Sequence, residues 1–200
     1  MSPAPEVSGR GVLRLGTLPV VVATLTLITA AYYTLVAFSN LTDFGTNQAF
    51  VQHVLEMDTT FNDEDVTWRA ITASVVQNIA YIAIIAWETL TALVLIWALV
   101  AWVGALRVGG GGYDRPRRLA TLGWTMVLLL FGGGFIVIGG EWFAMWQSQD
   151  WNGLDPALQN VLIAGIALIL THLPARDWDA AVSARPAAAA STAAPEDQPA

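Results

Sequence analysis

Four apolar stretches organise the chain, at about 15–38, 74–106, 119–140 and 157–173. A helix needs ~20 mostly apolar residues to cross ~30 Å of hydrocarbon at ~1.5 Å per residue, and these stretches meet or approach that length. The first and third carry no charge, the second holds one carboxylate, Glu88, and the fourth is short, lying between Pro156 and Pro174. Strands are excluded, because four of them could not close a barrel and lipid leaves an open sheet edge unsatisfied. The pattern predicts an all-α integral membrane four-helix bundle over residues 13–174.

Between the first two spans the polar segment is too long for a plain connection, and part of it is periodic. Phe50, Val51, Val54, Leu55 and Met57 fall on one arc, and Gln48, Gln52, His53 and Glu56 on the other. That division predicts a short amphipathic helix over 47–57, lying in the membrane interface. Asn62, followed by Asp63, Glu64 and Asp65, reads as a helix start with acids against the positive end of the dipole. Asp58, Thr60 and Asn62 have the spacing of a calcium loop. However, Asp63 stands where that loop needs glycine and Arg69 where it needs a bidentate Glu.

Residues 1–12 and 175–200, rich in Ala, Pro, Ser and Glu, are expected to remain unfolded tails. The glycine run 109–112 lacks the lysine and flanking strand of a phosphate loop and reads as a hinge. The first apolar run outlasts the ~7–15-residue core of a cleaved signal, so it is read as a span.

Composition strengthens the membrane reading. The 200 residues are 55% hydrophobic and only 12% charged, with a mean hydropathy of +0.54; soluble proteins carry about 25% charged residues. The absence of cysteine excludes disulfides, thiolate metal sites and cysteine nucleophiles. A net charge of −7 argues against nucleic acid as a partner. All nine cations are Arg: Arg10, Arg14, Arg107, Arg115, Arg117, Arg118, Arg176 and Arg185 flank the spans on one side, and Arg69 alone lies on the other. The positive-inside rule then puts both termini and the 107–118 loop in the cytoplasm. Nine carboxylates (Asp43, Glu56, Asp58, Asp63, Glu64, Asp65, Glu141, Asp150 and Asp155) face outward.

Glu88 is the residue with most chemistry. It lies ~16 Å along its helix from Gln77, and a carboxylate at such depth costs ~2.5–3.5 kcal/mol on insertion scales. Gln77, Asn78, Tyr81, Glu88 and Thr91 share one stripe. The stripe fits a proton or cation path, or a polar anchor. It equally fits a structural hydrogen bond to Thr24, Thr26 or Thr29 of the first span. Glu141 sits at the outer rim and could pair with Arg69. Trp142 and Trp146, with Trp151 beyond, read as an interfacial aromatic belt.

His53 and His172 fall on opposite sides, which excludes bis-histidine haem ligation within one chain. A zinc site would have to join His53 to Glu56, Asp58 or Glu141, and no hydrolase motif places a serine near His53. No cofactor is expected.

The run Asn47-Gln48-Ala49-Phe50-Val51-Gln52-His53-Val54-Leu55-Glu56-Met57-Asp58-Thr59-Thr60-Phe61 is the first of several signatures. Trp68-Arg69-Ala70-Ile71, Ala86-Trp87-Glu88, Ile138-Gly139-Gly140-Glu141-Trp142-Phe143-Ala144-Met145-Trp146-Gln147-Ser148 and Trp151-Asn152-Gly153 follow in order. Over about residues 15–172 the chain resembles the bacterial small integral membrane proteins of domain of unknown function 2165. The resemblance implies a four-helix inner-membrane protein. It marks His53, Asp58, Arg69, Glu88, Glu141 and Trp146 as motif positions without giving them roles.

The candidate polar binding or interaction residues are therefore His53, Asp58, Arg69, Tyr81, Glu88, Glu141, Trp142, Trp146 and Asn152. Lacking a complete catalytic set, the chain reads as a binding or accessory subunit of a larger membrane complex rather than an enzyme. The partners expected are the bilayer and either other subunits or a second copy of the chain. A conducting element centred on Glu88, and a quinone- or metal-binding protein using the outer His, Asp and Glu side chains, are the alternatives.

Overall fold

The computed structural model describes residues 14–108, 112–175 and 178, and every regular element among them is helical. Helix α1 (Leu18–Thr42) leads to α2 (Phe44–Glu56) and the one-turn α3 (Glu64–Thr67). Then come α4 (Ser74–Val108), α5 (Asp114–Trp142) and α6 (Leu154–His172). Of these, α1, α4, α5 and α6 are long and apolar enough to cross a membrane. They form a four-helix bundle in which α1 packs along α4, α4 along α5 and α5 along α6, with α6 closing onto α1.

Side chains that meet inside the bundle include Val22, Tyr33, Leu95, Trp102, Trp124 and Phe131, with Ala157, Ala164 and Ala167 supplying close approach from α6. Leu35, Ile79, Leu93, Val100 and Ile169 point away from it and are exposed. Helices apolar on both faces have a core inside and lipid outside, which is why they lack the polar stripe of a surface helix.

Three of the helices run past the expected apolar stretches by three residues or more. α1 runs on through Ser39, Asn40, Leu41 and Thr42, because Asn40 is buried and hydrogen-bonded rather than at a water boundary. α5 starts at Asp114, so Arg115, Arg117 and Arg118 ride on its first turns instead of a loop, with Pro116 in the first turn where no intrahelical N–H is needed. Arg117 uses that position to donate through Nε and Nη2 to Thr171 O, at 3.0 and 2.7 Å, tying the start of α5 to the end of α6. α6 starts at Leu154, ahead of Pro156.

From Leu128 to Trp142 the α5 backbone widens into a π-helix. The wider coil coincides with Gly132, Gly133, Gly134, Gly139 and Gly140, which offer no side chains to hold a tighter turn. Gly140 also lets α6 approach: a Cβ there would lie 2.9 Å from Leu154 Cδ2.

Tails at 1–12 and 175–200 and the hinge at 109–112 lie outside the described residues, apart from Gly112, Ala175 and Trp178. Trp178 does not behave as tail. Its ring packs against Trp102 and Tyr113, its Nε1 donates to Leu173 O at 2.8 Å, and the Arg117 guanidinium lies 4.6 Å from its centroid.

At the opposite end of the bundle from Arg117, residues 43–73 and 143–153 fold against each other as a cap. Ile71 N donates to Leu55 O at 2.8 Å, closing the loop after α2 back onto that helix.

Candidate functional site

The cap is fastened to the bundle by a buried polar node. On α4, Gln77, Tyr81, Glu88 and Thr91 are buried along one face, as their spacing predicts. Asn78 lies beside them, and its Oδ1 accepts from Gln48 of α2 at 2.7 Å.

Asn40 of α1 is the hub. Its Nδ2 donates to Glu88 Oε2 at 2.6 Å, while its Oδ1 accepts from Asn47 Nδ2 at 2.6 Å and Tyr81 OH at 3.4 Å. One amide therefore joins α1, α2 and α4. The threonines considered as Glu88 partners are otherwise engaged: Thr24, Thr26 and Thr29 donate back to the carbonyls of Val20, Val22 and Leu25. Thr29 Oγ1 also accepts from Trp124 Nε1 at 3.2 Å. Asn40 escapes a search that ends the first span at residue 38.

Above this node Gln77 Nε2 donates to both Glu56 Oε1 and Ile71 O, each at 2.8 Å, so Glu56 is tied to α4 rather than free on a polar face. Ser148 ties the two cap segments, accepting from Thr59 Oγ1 at 2.8 Å and from Trp151 N at 2.9 Å.

Among the described residues, three that are not glycine adopt left-handed backbone, Met57 (φ 56°), Asn62 (φ 56°) and Ala144 (φ 52°), and all three belong to the cap. Met57 ends α2, and its side chain, 1% exposed, packs against Phe143 and Ala144. Strained backbone of this kind persists only where its surroundings over-determine it. The acid run starts a helix of one turn, but the cap residue is Asp63, whose Oδ1 accepts from Asp65 N at 3.0 Å.

The predicted site residues divide into separate groups. His53 Nδ1 lies 2.7 Å from Asp58 Oδ2, and its ring stacks on Trp151 at 4.4 Å between centroids. No third ligand joins them: among the described residues no group of three or more His, Asp or Glu converges. Glu56 and Glu141, considered as fellow zinc ligands, lie at Gln77 and in the Arg69 groove respectively.

Arg69, Glu141 and Trp142 do share a groove. Glu141 could pair with Arg69, but the contacts of the guanidinium lie elsewhere. Arg69 Nη1 donates to Trp142 O at 3.4 Å, and the guanidinium lies 4.9 Å from the Trp142 ring and 5.7 Å from that of Trp68. Its Nε is buried without a hydrogen-bond partner.

Trp146 meets Phe61 edge-on, with centroids 5.8 Å apart. Asn152 stands apart from every group, its Oδ1 accepting from Leu154 N at 3.0 Å where α6 begins. Tyr81 and Glu88 belong to the buried node.

Beneath α2 lies an apolar cavity of about 190 Å³, walled by Phe50, Val54 and Leu55, by Ala80 and Ile84 of α4, and by Gly134, Phe135, Ile138 and Gly139 of α5.

No curated protein and no solved structure matches the chain. A family model does, and its span takes in all four long helices and the whole cap. The chain belongs to the family described as predicted small integral membrane protein (DUF2165), whose model matches residues 18–174.

Proposed function

We propose that this protein is a binding subunit of a larger complex in the bacterial cytoplasmic membrane and that the cap is the surface it offers. The observation that supports this reading is the pair Phe61 and Trp146, 70% and 50% exposed on a cap whose own backbone is held fast. Phe61 N donates to Gln147 Oε1 at 2.9 Å, so the exposed ring is presented at little further cost in order.

Asp63, Glu64, Asp65 and Asp150 are exposed on the same cap segments. An apolar anchor among carboxylates suits a partner with an apolar cleft flanked by Lys or Arg. The arginine distribution along the sequence supports an orientation with both termini inside and the cap outside, since Arg69 is the one arginine within the segments 43–73 and 143–153. A conducting role for Glu88 draws less support. The polar stripe ends at Thr91, whose hydroxyl donates back to Trp87 O, and Leu95, Ala98 and Trp102 fill the core beyond.

The test is purification of the full chain from its own membranes in mild detergent. A stoichiometric partner is expected with the natural sequence and lost with Phe61→Ser combined with Trp146→Ser, while the unfolding temperature stays within a degree or two. A chain that emerges alone, or a partner that remains on the double variant, contradicts the reading.

A further inference from the structure

The groove at Arg69 and the apolar cavity beneath α2 are walled in common by Ile138 and Phe143. They therefore adjoin, with a cation at the rim of one and apolar walls around the other. Each half has an unmet need. The guanidinium is fixed by Trp68 and Trp142, yet among the described residues its one hydrogen-bond partner is Trp142 O, at a long 3.4 Å, and Nε has none. An orphaned guanidinium donor beside a groove is a ready receptor for a planar or tetrahedral oxyanion. The cavity, about 190 Å³, exceeds the ~150 Å³ of a dry apolar void that takes up benzene, and glycine at 134 and 139 keeps its wall thin.

Glu141 supplies the second charge. It lines the same groove, is exposed, and makes no bond to Arg69, so an anion held at Arg69 has a carboxylate close by. A phosphate alone would meet that carboxylate and the acidic cap. A head group carrying both a phosphate and an ammonium would satisfy both side chains.

We propose that this groove and the cavity beside it together bind one membrane phospholipid with an amine head group. Its phosphate lies on Arg69, its ammonium on Glu141, and part of one acyl chain enters beneath α2. The site is independent of Phe61 and Trp146, so it stands or falls separately from the docking reading. Bound there, the lipid covers Phe50, Val54 and Leu55 and holds α2 against α4 and α5.

The test uses the delipidated full chain in detergent and four probes: phosphatidylethanolamine, phosphatidylglycerol and diacylglycerol with identical acyl chains, and inorganic phosphate. Phosphatidylethanolamine is expected to raise Tm by several degrees and to survive as a 1:1 adduct in native mass spectrometry. Phosphatidylglycerol should give a smaller shift, and diacylglycerol and inorganic phosphate none. Arg69→Gln should lower retained lipid about tenfold, Arg69→Lys should keep part of it, and Gly134→Leu should expel the chain by filling the cavity.

Equal stabilisation by diacylglycerol, or none by any lipid, overturns the proposal, and does so on the natural chain even if a variant fails to fold. Binding of inorganic phosphate at Arg69 with lipid retention unaffected by Gly134→Leu would also overturn it, assigning the groove to a soluble anion. An equal shift with phosphatidylglycerol overturns the role of Glu141.

Discussion

Asn40 and Glu88 meet at 2.6 Å between α1 and α4, 48 residues apart in sequence and both about 5% exposed or less. This bond makes Glu88 a structural link between the spans and the cap, because the same amide accepts from Asn47 and Tyr81. Replacing Glu88 with Leu leaves a buried amide donor unpaired, so a loss of about 1–3 kcal/mol is expected. Glu88→Gln retains an acceptor for Asn40 and should cost less than about 1 kcal/mol. Thermal unfolding in detergent distinguishes the two, and both variants should still insert.

Gly123 and Gly104 contrast a close-packed helix glycine with one in open space. A Cβ at Gly123 would lie 2.5 Å from Leu95 Cδ2 and 2.8 Å from its Cγ, and Leu95 is fully buried, whereas a Cβ at Gly104 would meet nothing within 4 Å. Gly123→Ala should cost about 1–3 kcal/mol through overpacking. Gly104→Ala should be neutral or stabilise by up to about 1 kcal/mol, since it removes a helix glycine from open space. Parallel melting curves of the two variants check this.

Ala144 adopts a backbone conformation that suits glycine, and the side chain lost on substitution is a single methyl, buried beside Met57 and Phe143. Ala144→Gly should therefore raise stability by up to about 1 kcal/mol. Met57→Gly shares the backbone relief but removes a side chain that is 1% exposed against Phe143, so it should lose about 2 kcal/mol or more. The opposite signs, read by denaturation at one detergent concentration, separate backbone strain from packing.

Much of this fold is legible along the chain because lipid demands it. Uninterrupted apolar runs permit few structures, and the Phe50-to-Met57 arc predicts α2 because its apolar side chains recur at helical spacing. The polar stripe through Gln77, Tyr81 and Glu88 is legible for the same reason, since a helix puts those positions on one face. The partner of that stripe is not legible. Asn40 follows the apolar run, and a polar residue there has the same appearance whether it meets water or a buried carboxylate. Arg69 illustrates a second limit: charge pairing suggests Glu141, but the indole rings of Trp68 and Trp142 and the Trp142 carbonyl hold the guanidinium instead. Nor does a glycine cluster declare the π-helix of Leu128–Trp142, since glycines serve close packing in an ordinary helix equally well.

The chain contains no cysteine, so a single introduced thiol reports its side of the membrane without a background. With the proposed orientation, a thiol at Glu64 should react with a membrane-impermeant maleimide in intact spheroplasts. A thiol at Arg118 should react only after permeabilisation. The reverse pattern would place the cap inside and remove the basis for an external partner.

The most direct test of the docking cap is a photoreactive benzophenone side chain at Phe61 in living cells, with the same group at the lipid-facing Leu129 as reference. The binding-subunit account predicts one discrete protein adduct from position 61 and only lipid adducts from position 129. Lipid adducts alone at both positions would contradict it.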